Sequence, residues 1–374
     1  MEIIMTWNNW LLIYGCCFGT AFILSLITTP LCKKLAHVTG YLDIPAAEMH
    51  KGHRKATPLL GGLAMCLAWA LTIAIGFSAA LILRSGPIAD SISGMLSSAK
   101  ELLVILFGGI AAMVLGLIDD KHPLKASVKF AGQLLIALAV VIFGGIRITF
   151  FVENIWISCI GTVFWFLFIF NAFNFFDNMD GLAAGTAAIA FFFFGIAAAV
   201  NQQYFVASLC ACSAAAVAGF WVYNSSPASI FMGDAGSHFL AFMLSVVAAK
   251  VTYYNPEIAA TRFAILIPLF ILAVPVFDTF AVVVIRLKNH KPIYVGDHNH
   301  ISHRFWHMGM SRARAVNLVH LLVLVTCLGA LPLLWGGIGT CIVLLVQGAA
   351  ILLLLSIMQY TGIQANKNNE EKNK

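Results

Sequence analysis

"IWISCIGTVFWFLFIFNAFNFFDNMDGLAAG", residues 155–185, is apolar through Phe170 and then places Asn171, Asn174, Asp177, Asn178 and Asp180 within ten positions. The first part suits a helix in a lipid bilayer; the second does not, because a polar or ionised group in hydrocarbon costs several kcal/mol unless it meets partners, water or a ligand. At helical spacing Asn171, Asn174 and Asn178 share one face with Asp177 beside them, and Asp180-Gly181 ends that helix and starts the next. The stretch therefore reads as a membrane-spanning helix whose polar end has a use.

Working outward, the same apolar pattern fills the chain. Of 374 residues, 61% are hydrophobic and 10% charged, far from the roughly 25% charged residues of a soluble domain. Mean hydropathy is +0.92. About eleven stretches approach the ~20 residues a spanning helix needs: 10–32, 58–83, 101–118, 127–147, 154–173, 182–200, 203–223, 237–252, 262–286, 316–335 and 338–360. The expected fold is an all-α, polytopic integral membrane bundle. Residues 1–363 form a single transmembrane catalytic domain, and 364–374 a polar, disordered tail. The N-terminus lacks the basic region and cleavage site of a signal peptide, so the first stretch reads as a retained helix. Nine cysteines fall in or beside apolar runs without a CxxC pair, which argues against a disulfide or zinc framework.

Lysine and arginine orient such a bundle. The loops after the odd-numbered spans, with the C-terminus, hold seventeen of them and the opposite side five. That puts the N-terminus outside and the C-terminus in the cytoplasm. The modest net charge of +6 fits this topology and gives no reason to invoke nucleic acid. The same parity puts every polar cluster (His53, Asp119–Asp120, Asn171–Asp180, Asp234, Asp297–Arg304) on the cytoplasmic face, where one composite site is the economical reading.

Each cluster has a functional and a plain reading. Asp119 and Asp120 end the third span, where the helix dipole disfavours negative charge. They can orient a phosphate, hold a metal or share a proton, or simply begin a loop beside Lys121. Lys125, Lys129 and Gln133 recur every four residues, as a phosphate-binding ridge or as lysines snorkelling to the interface. Carboxamides and carboxylates of 171–180 are hard oxygen ligands suited to magnesium; the competing reading is a ligand-free interhelical network. "IFMGDAGSHF", 230–239, offers Asp234 between glycines at a helix start that welcomes anions. "GDHNHISHRF", 296–305, lacks zinc-site spacing but suits a diphosphate or lipid phosphate. Asp278 lies inside a span and is as open to structural pairing as to function. "HKGHRKATPLLGG", 50–62, has basic residues that could serve only as an anchor.

Together these residues resemble the polyprenyl-phosphate N-acetylhexosamine-1-phosphate transferases, glycosyltransferase family 4, over about Asp43 to Val316. Asp119-Asp120 is similar to the family's aspartate pair, "NAFNFFDNMDGLA" to its NAxNxxDGxDGLA motif, "FMGDAGS" to FMGDxGS, "HISHR" to HxHHR, and "HRKATPLLGG" to its HxxxxP…GG segment. "DDKHPLKASVKFAGQ" looks closer to the branch that transfers N-acetylhexosamine phosphates than to the branch that transfers the muramyl pentapeptide. The resemblance implies that Asn174 and Asp234 hold magnesium or manganese. Asp119 and Asp120 would position or deprotonate the lipid phosphate. Asp177 is implied to be catalytic, with Asp180 and Asn171 lining the nucleotide site. His300, His303 and Arg304 would contact the sugar-phosphate or diphosphate, and His53, Lys125 and Lys129 complete the substrate contacts. The sequence departs from the family pattern at Asn178, where Gly is usual, at His50, where Arg is common, and at Ser302, which replaces the middle His and is expected to tolerate substitution.

The implied reaction is magnesium-dependent transfer of an N-acetylhexosamine 1-phosphate, GlcNAc 1-phosphate first, from a UDP-sugar to undecaprenyl phosphate, in the inner membrane and for cell-envelope polysaccharide. Membrane lipids and a second copy of the chain, as a homodimer, are the other expected partners. Another UDP-linked sugar is the runner-up. A transporter would place its polar residues near the midplane, often with internal repeats, and an inactive binding paralogue would keep the site without turnover.

Overall fold

The structure, a computed structural model, describes residues 2–44, 56–83, 98–148, 154–251, 262–292 and 299–372. It is helical almost throughout, as lipid requires: only a helix or a closed barrel satisfies every backbone group within the bilayer. In order come α1 (Glu2–Thr39), a two-residue hairpin of β1 (Leu42–Asp43) and β2 (Thr57–Pro58), α2 (Gly61–Leu83), α3 (Ala99–Lys121), α4 (Ala126–Gly144), α5 (Ile155–Phe176), α6 (Leu182–Val200), α7 (Tyr204–Asn224) and α8 (Gly233–Lys250). A short 3-10 turn (Arg262–Leu266) leads into α9 (Ile267–Ile271) and α10 (Ala273–Lys288); α11 (Ile301–His307), α12 (Arg312–Ala330) and α13 (Ile338–Lys372) follow.

Among the described residues nine helices are long and apolar enough to cross a membrane, or ten if the bent pair Arg262–Ile271 and Ala273–Lys288 is one span. The two stretches that fall short of the expected eleven do so for identifiable reasons. The 262–286 stretch is not straight: it bends by 69° at Leu272. Pro275 has no N–H to give the carbonyl of Ile271, so the helical ladder breaks there, and the Cys327 thiol donates to that carbonyl instead, at 3.6 Å. The 237–252 stretch belongs to α8, which opens on Asp234, Ser237 and His238. Those polar residues dilute its hydropathy, yet every residue from Ala235 to Ala248 is buried, as expected of a helix surrounded by others. At the C-terminus α13 continues to Lys372. No Gly or Pro follows Gly362 to stop it, so the 364–372 stretch is helical here although its composition suggests a disordered tail.

Helix α8 sits at the centre, against α2, α3, α5 and α6, while α1 and α7 pair along the side and α12 packs on α6. Large apolar side chains on α1, α4, α5 and α13 face outward (Leu12, Phe143, Phe164 and Val346 among them). Asn154 starts α5 by accepting the N–H groups of Trp156 and Ile157 at 2.9 and 3.3 Å. Thus α3 and α5 end where α4 and α8 begin, and this common end collects the polar residues.

Candidate active site

The N-terminus of α8 is fixed from three sides. Phe231 N–H donates to Pro58 O at 2.8 Å, and the N–H groups of Gly61 and Gly62 donate back to Phe231 O and Met232 O, each at 3.0 Å. Two glycines permit the approach: a Cβ on Gly62 would overlap the backbone of Ala235–Gly236, and one on Gly116 of α3 would overlap the carbonyl of Asp234. So "TPLLGG" is no mere anchor; it is a backbone clamp on the loop that leads into α8. The third side is Asp120, whose two oxygens accept the N–H groups of Asp234 and Ala235 at 2.7 and 3.0 Å.

That last contact corrects two expectations. The first-turn N–H groups of α8 are not open to an anion, because Asp120 occupies them. Asp120 is also not adverse to its own helix end: the positive end of α8 answers the negative end of α3. Its neighbour Asp119 points elsewhere, accepting Leu124 N–H at 2.6 Å and pairing with Lys129 Nζ at 2.7 Å.

Lys129 is the hub. Its ammonium also reaches Asp234 Oδ2 at 2.5 Å and donates to Asn174 Oδ1 at 3.3 Å, while Asn174 Nδ2 donates to Asp234 Oδ1 at 2.7 Å and to Ser237 Oγ at 3.1 Å. Four helices thereby meet in a single cluster, Asp119 from α3, Lys129 from α4, Asn174 from α5, and Asp234 and Ser237 from α8. Lys125 is not part of it. It is the N-cap of α4 with extended backbone and is exposed, so the four-residue spacing places only Lys129 and Gln133 on the inner face.

Asp177 closes α5 and is part-buried. Burial first, then the charges of Asp234, Asp120 and Asp180, push its carboxyl up to about 8. This end of the bundle therefore holds more negative charge than Lys129 neutralises, and it retains a proton near neutral pH. Asp180 accepts Ala228 N–H at 3.0 Å, and Asn224 accepts Gly181 N–H at 3.1 Å while donating to Ile230 O. The junction between α5 and α6 is so tied to the loop before α8.

Asn171 is placed differently from expectation. One turn deeper than Asn174, it donates to Gln133 Oε1 at 3.0 Å and to Leu167 O at 2.8 Å. Gln133 Nε2 meets His238 Nε2 at 3.0 Å, and His238 Nδ1 meets Asp234 O at 2.7 Å. A carbonyl can only accept, so Nδ1 carries the proton and Nε2 accepts from Gln133. Asn171 belongs to this buried interhelical network rather than to the substrate cluster, and the network fixes the backbone of Asp234 from below. His238 was missed because a lone histidine in an apolar helix gives no spacing signal.

The turn before and within α11 forms the opposite wall. His300 and Arg304 are nearly fully buried. Asp278 on α10 meets His300 Nδ1 at 2.7 Å and accepts Ile301 N–H at 2.7 Å, so its partner is structural and local to the histidine turn. Ser302, fully buried, donates to Asn178 Oδ1 at 2.6 Å; it is not a spare position. His303 lies 6.2 Å, ring to ring, from Trp306, over which Arg312 sits at 4.7 Å. His53, His50, Asp297 and His298 lie outside the described residues.

The family profile described as Glycosyl transferase family 4 matches residues 102–252, the span that supplies the cluster from Asp119 to Asp234. The chain is 33% identical over 325 residues to the probable undecaprenyl-phosphate N-acetylglucosaminyl 1-phosphate transferase of Bacillus subtilis, covering 84% of each chain. It is 31% identical over 365 residues to the decaprenyl-phosphate N-acetylglucosaminephosphotransferase of Mycolicibacterium smegmatis, covering 90% of this chain and 86% of that one. Similarity to the phospho-N-acetylmuramoyl-pentapeptide-transferase of Bacillus cytotoxicus is 31% over 252 residues, covering 62% of this chain and 72% of that one.

Proposed function

The chain belongs to glycosyl transferase family 4 and is a phosphoglycosyltransferase of the membrane; from that premise we propose that it moves GlcNAc 1-phosphate from UDP-GlcNAc to undecaprenyl phosphate. The sugar follows the names of the N-acetylglucosamine-transferring relatives, which match more of the chain than the muramyl-pentapeptide one does. An oxygen of the lipid phosphate bonds to the β-phosphorus of the UDP-sugar. The bond from that phosphorus to the bridging oxygen breaks, and UMP leaves with the oxygen. The site faces the cytoplasm of the inner membrane in an eleven-span chain with its N-terminus outside; the distribution of Lys and Arg supports this.

One observation carries the chemistry: Lys129 bridges Asp119 and Asp234 from different helices at one end of the bundle. A lipid phosphate arriving there meets a cation already oriented by two carboxylates, which is the positioning and charge control phosphoryl transfer needs. Asp119 is the member of the aspartate pair suited to receive a proton from the lipid phosphate, because it touches the Lys129 ammonium that the phosphate would meet, whereas Asp120 is committed to the backbone of α8. Asp177 and Asp180 line the nucleotide side; His300, His303 and Arg304 close over the diphosphate.

Magnesium, or manganese, fits the donor set. Among the described residues no three His, Cys, Asp or Glu side chains gather closely enough to hold an ion. That suits a hard cation that takes one or two protein oxygens and keeps water and phosphate oxygens for the rest of its shell. Asn174 and Asp234 would hold it, exchanging their mutual hydrogen bond for the ion, and the excess negative charge around Asp177 favours a cation there. When bound, the ion neutralises the diphosphate.

The test is which bond breaks. Purified protein, undecaprenyl phosphate, magnesium and UDP-GlcNAc labelled in the β-phosphate are incubated, and lipid is separated from nucleotide. Label is expected in the lipid with UMP in solution. Label in UDP, with a singly phosphorylated glycolipid, would overturn the mechanism.

A further inference from the structure

The hydrogen bond between Ser302 and Asn178 joins residues 124 positions apart. At its other end the Asn178 carboxamide donates to Phe175 O at 3.0 Å, in the last turn of α5. The carboxamide is thus held in one orientation, Nδ2 into its own helix end and Oδ1 toward α11. The bond ties the segment of Asp177 and Asp180 to the turn of His300, His303 and Arg304. Asn178 and Ser302 are also two of the three departures from the family pattern noted in the sequence, and the structure has them bonded to each other. Relative to Gly and His, the side chain gained at 178 has as many heavy atoms as are lost at 302. The pair therefore conserves volume across the contact while replacing an imidazole by a neutral hydrogen bond. A histidine at 302 alone would enter the space that the Asn178 carboxamide fills. A glycine at 178 alone would remove the acceptor of a buried hydroxyl.

We propose that Asn178 and Ser302 form one positioning pair, a neutral latch that seats the His300–Arg304 turn against the Asp177–Asp180 junction, so that neither residue can be exchanged alone. The proposal rests on the reading that these two segments enclose the donor diphosphate. The latch adds no charge and donates nothing to the reacting atoms, so its loss falls on donor binding more than on the chemical step.

Full-length protein is assayed for transfer from UDP-GlcNAc to undecaprenyl phosphate, with Ser302→His, Asn178→Gly and the double variant. Ser302→His is expected to lower kcat/KM by about thirtyfold and Asn178→Gly by about fivefold, while the double variant returns to within about threefold of the wild type. Ser302→Ala and Asn178→Ala form a second cycle that needs no overpacked intermediate. Each should raise KM for UDP-GlcNAc by about three- to tenfold with kcat within about twofold, and the double should match the worse single, because both remove the same bond. Effects that multiply independently in both cycles would overturn the latch. A wild-type protein that moves no sugar phosphate would instead overturn the functional reading, and the two failures are told apart by that control.

Discussion

Two regions enclose the candidate site, and they are held by different means. Around the start of α8 the contacts are backbone to backbone, or carboxylate to backbone: Phe231 with Pro58 and Gly61, Gly62 with Met232, Asp120 with Asp234 and Ala235. Around the α5–α6 junction and α11, side chain meets side chain: Ser302 with Asn178, and His300 with Asp278. The first region leaves no room for a different side chain, because the glycines exist to remove side chains. The second is adjustable by exchanging partners, and that is where the described departures from the family pattern fall. A rigid floor that fixes Asp234, set against an adjustable wall, is a workable division between shared chemistry and variable substrate.

The largest effect should come from intruding on the floor. Gly116→Ala puts a methyl group into the Asp234 carbonyl and should cost about 3 kcal/mol of stability, seen as a lower unfolding temperature and poorer accumulation. Gly76→Ala on α2, where a Cβ meets open space, is the control and should be neutral or slightly stabilising. Equal behaviour of the two variants would break the comparison.

The next effect belongs to the wall. Asp177 titrates near 8 when folded and near 4 when unfolded, so between those values the folded state holds the extra proton. Stability therefore falls as pH rises through that window, by at most about 1.4 kcal/mol per unit. Unfolding temperatures measured from pH 5 to 8 should show the decline, and Asp177→Asn should make it shallower. A wild-type profile already flat would mean the cluster is not short of positive charge.

Asn171→Ala should have the smallest consequence. It removes a buried hydrogen bond beneath the site, costing about 1 kcal/mol of stability with KM for the UDP-sugar unchanged. A tenfold rise in that KM would return Asn171 to the substrate contacts.

Much of this was legible beforehand, and the misreadings share a cause. The apolar runs located the helices, because lipid demands long apolar stretches wherever they are used. The polar clusters pointed to the end of the bundle where Asp119, Lys129, Asn174 and Asp234 meet, because hydrocarbon makes polar residues expensive. What spacing could not say was which neighbour each polar group would meet. Asn171 and Asn174 lie on one helical face, yet one faces Gln133 and the other Asp234. Asp119 and Asp120 are adjacent, yet their carboxylates serve different helices. Asp278 was undecidable until α11 placed His300 beside it. Partners are set by the packing of distant helices, and a single sequence carries no direct record of that.

The reach of Asp120 also bears on how the protein is made. The N–H groups that satisfy it lie 114 and 115 positions further along the chain. At synthesis rates of about 5–20 residues per second, α3 waits on the order of ten seconds before α8 leaves the ribosome. Throughout that interval Asp120 at the end of α3 is without its final partners, and the centre of the bundle lacks the element around which its neighbours pack. Biogenesis of this enzyme thus has a keystone: α1–α7 precede α8 in synthesis, and the polar end shared by α3, α4 and α5 is completed only when α8 is threaded among them.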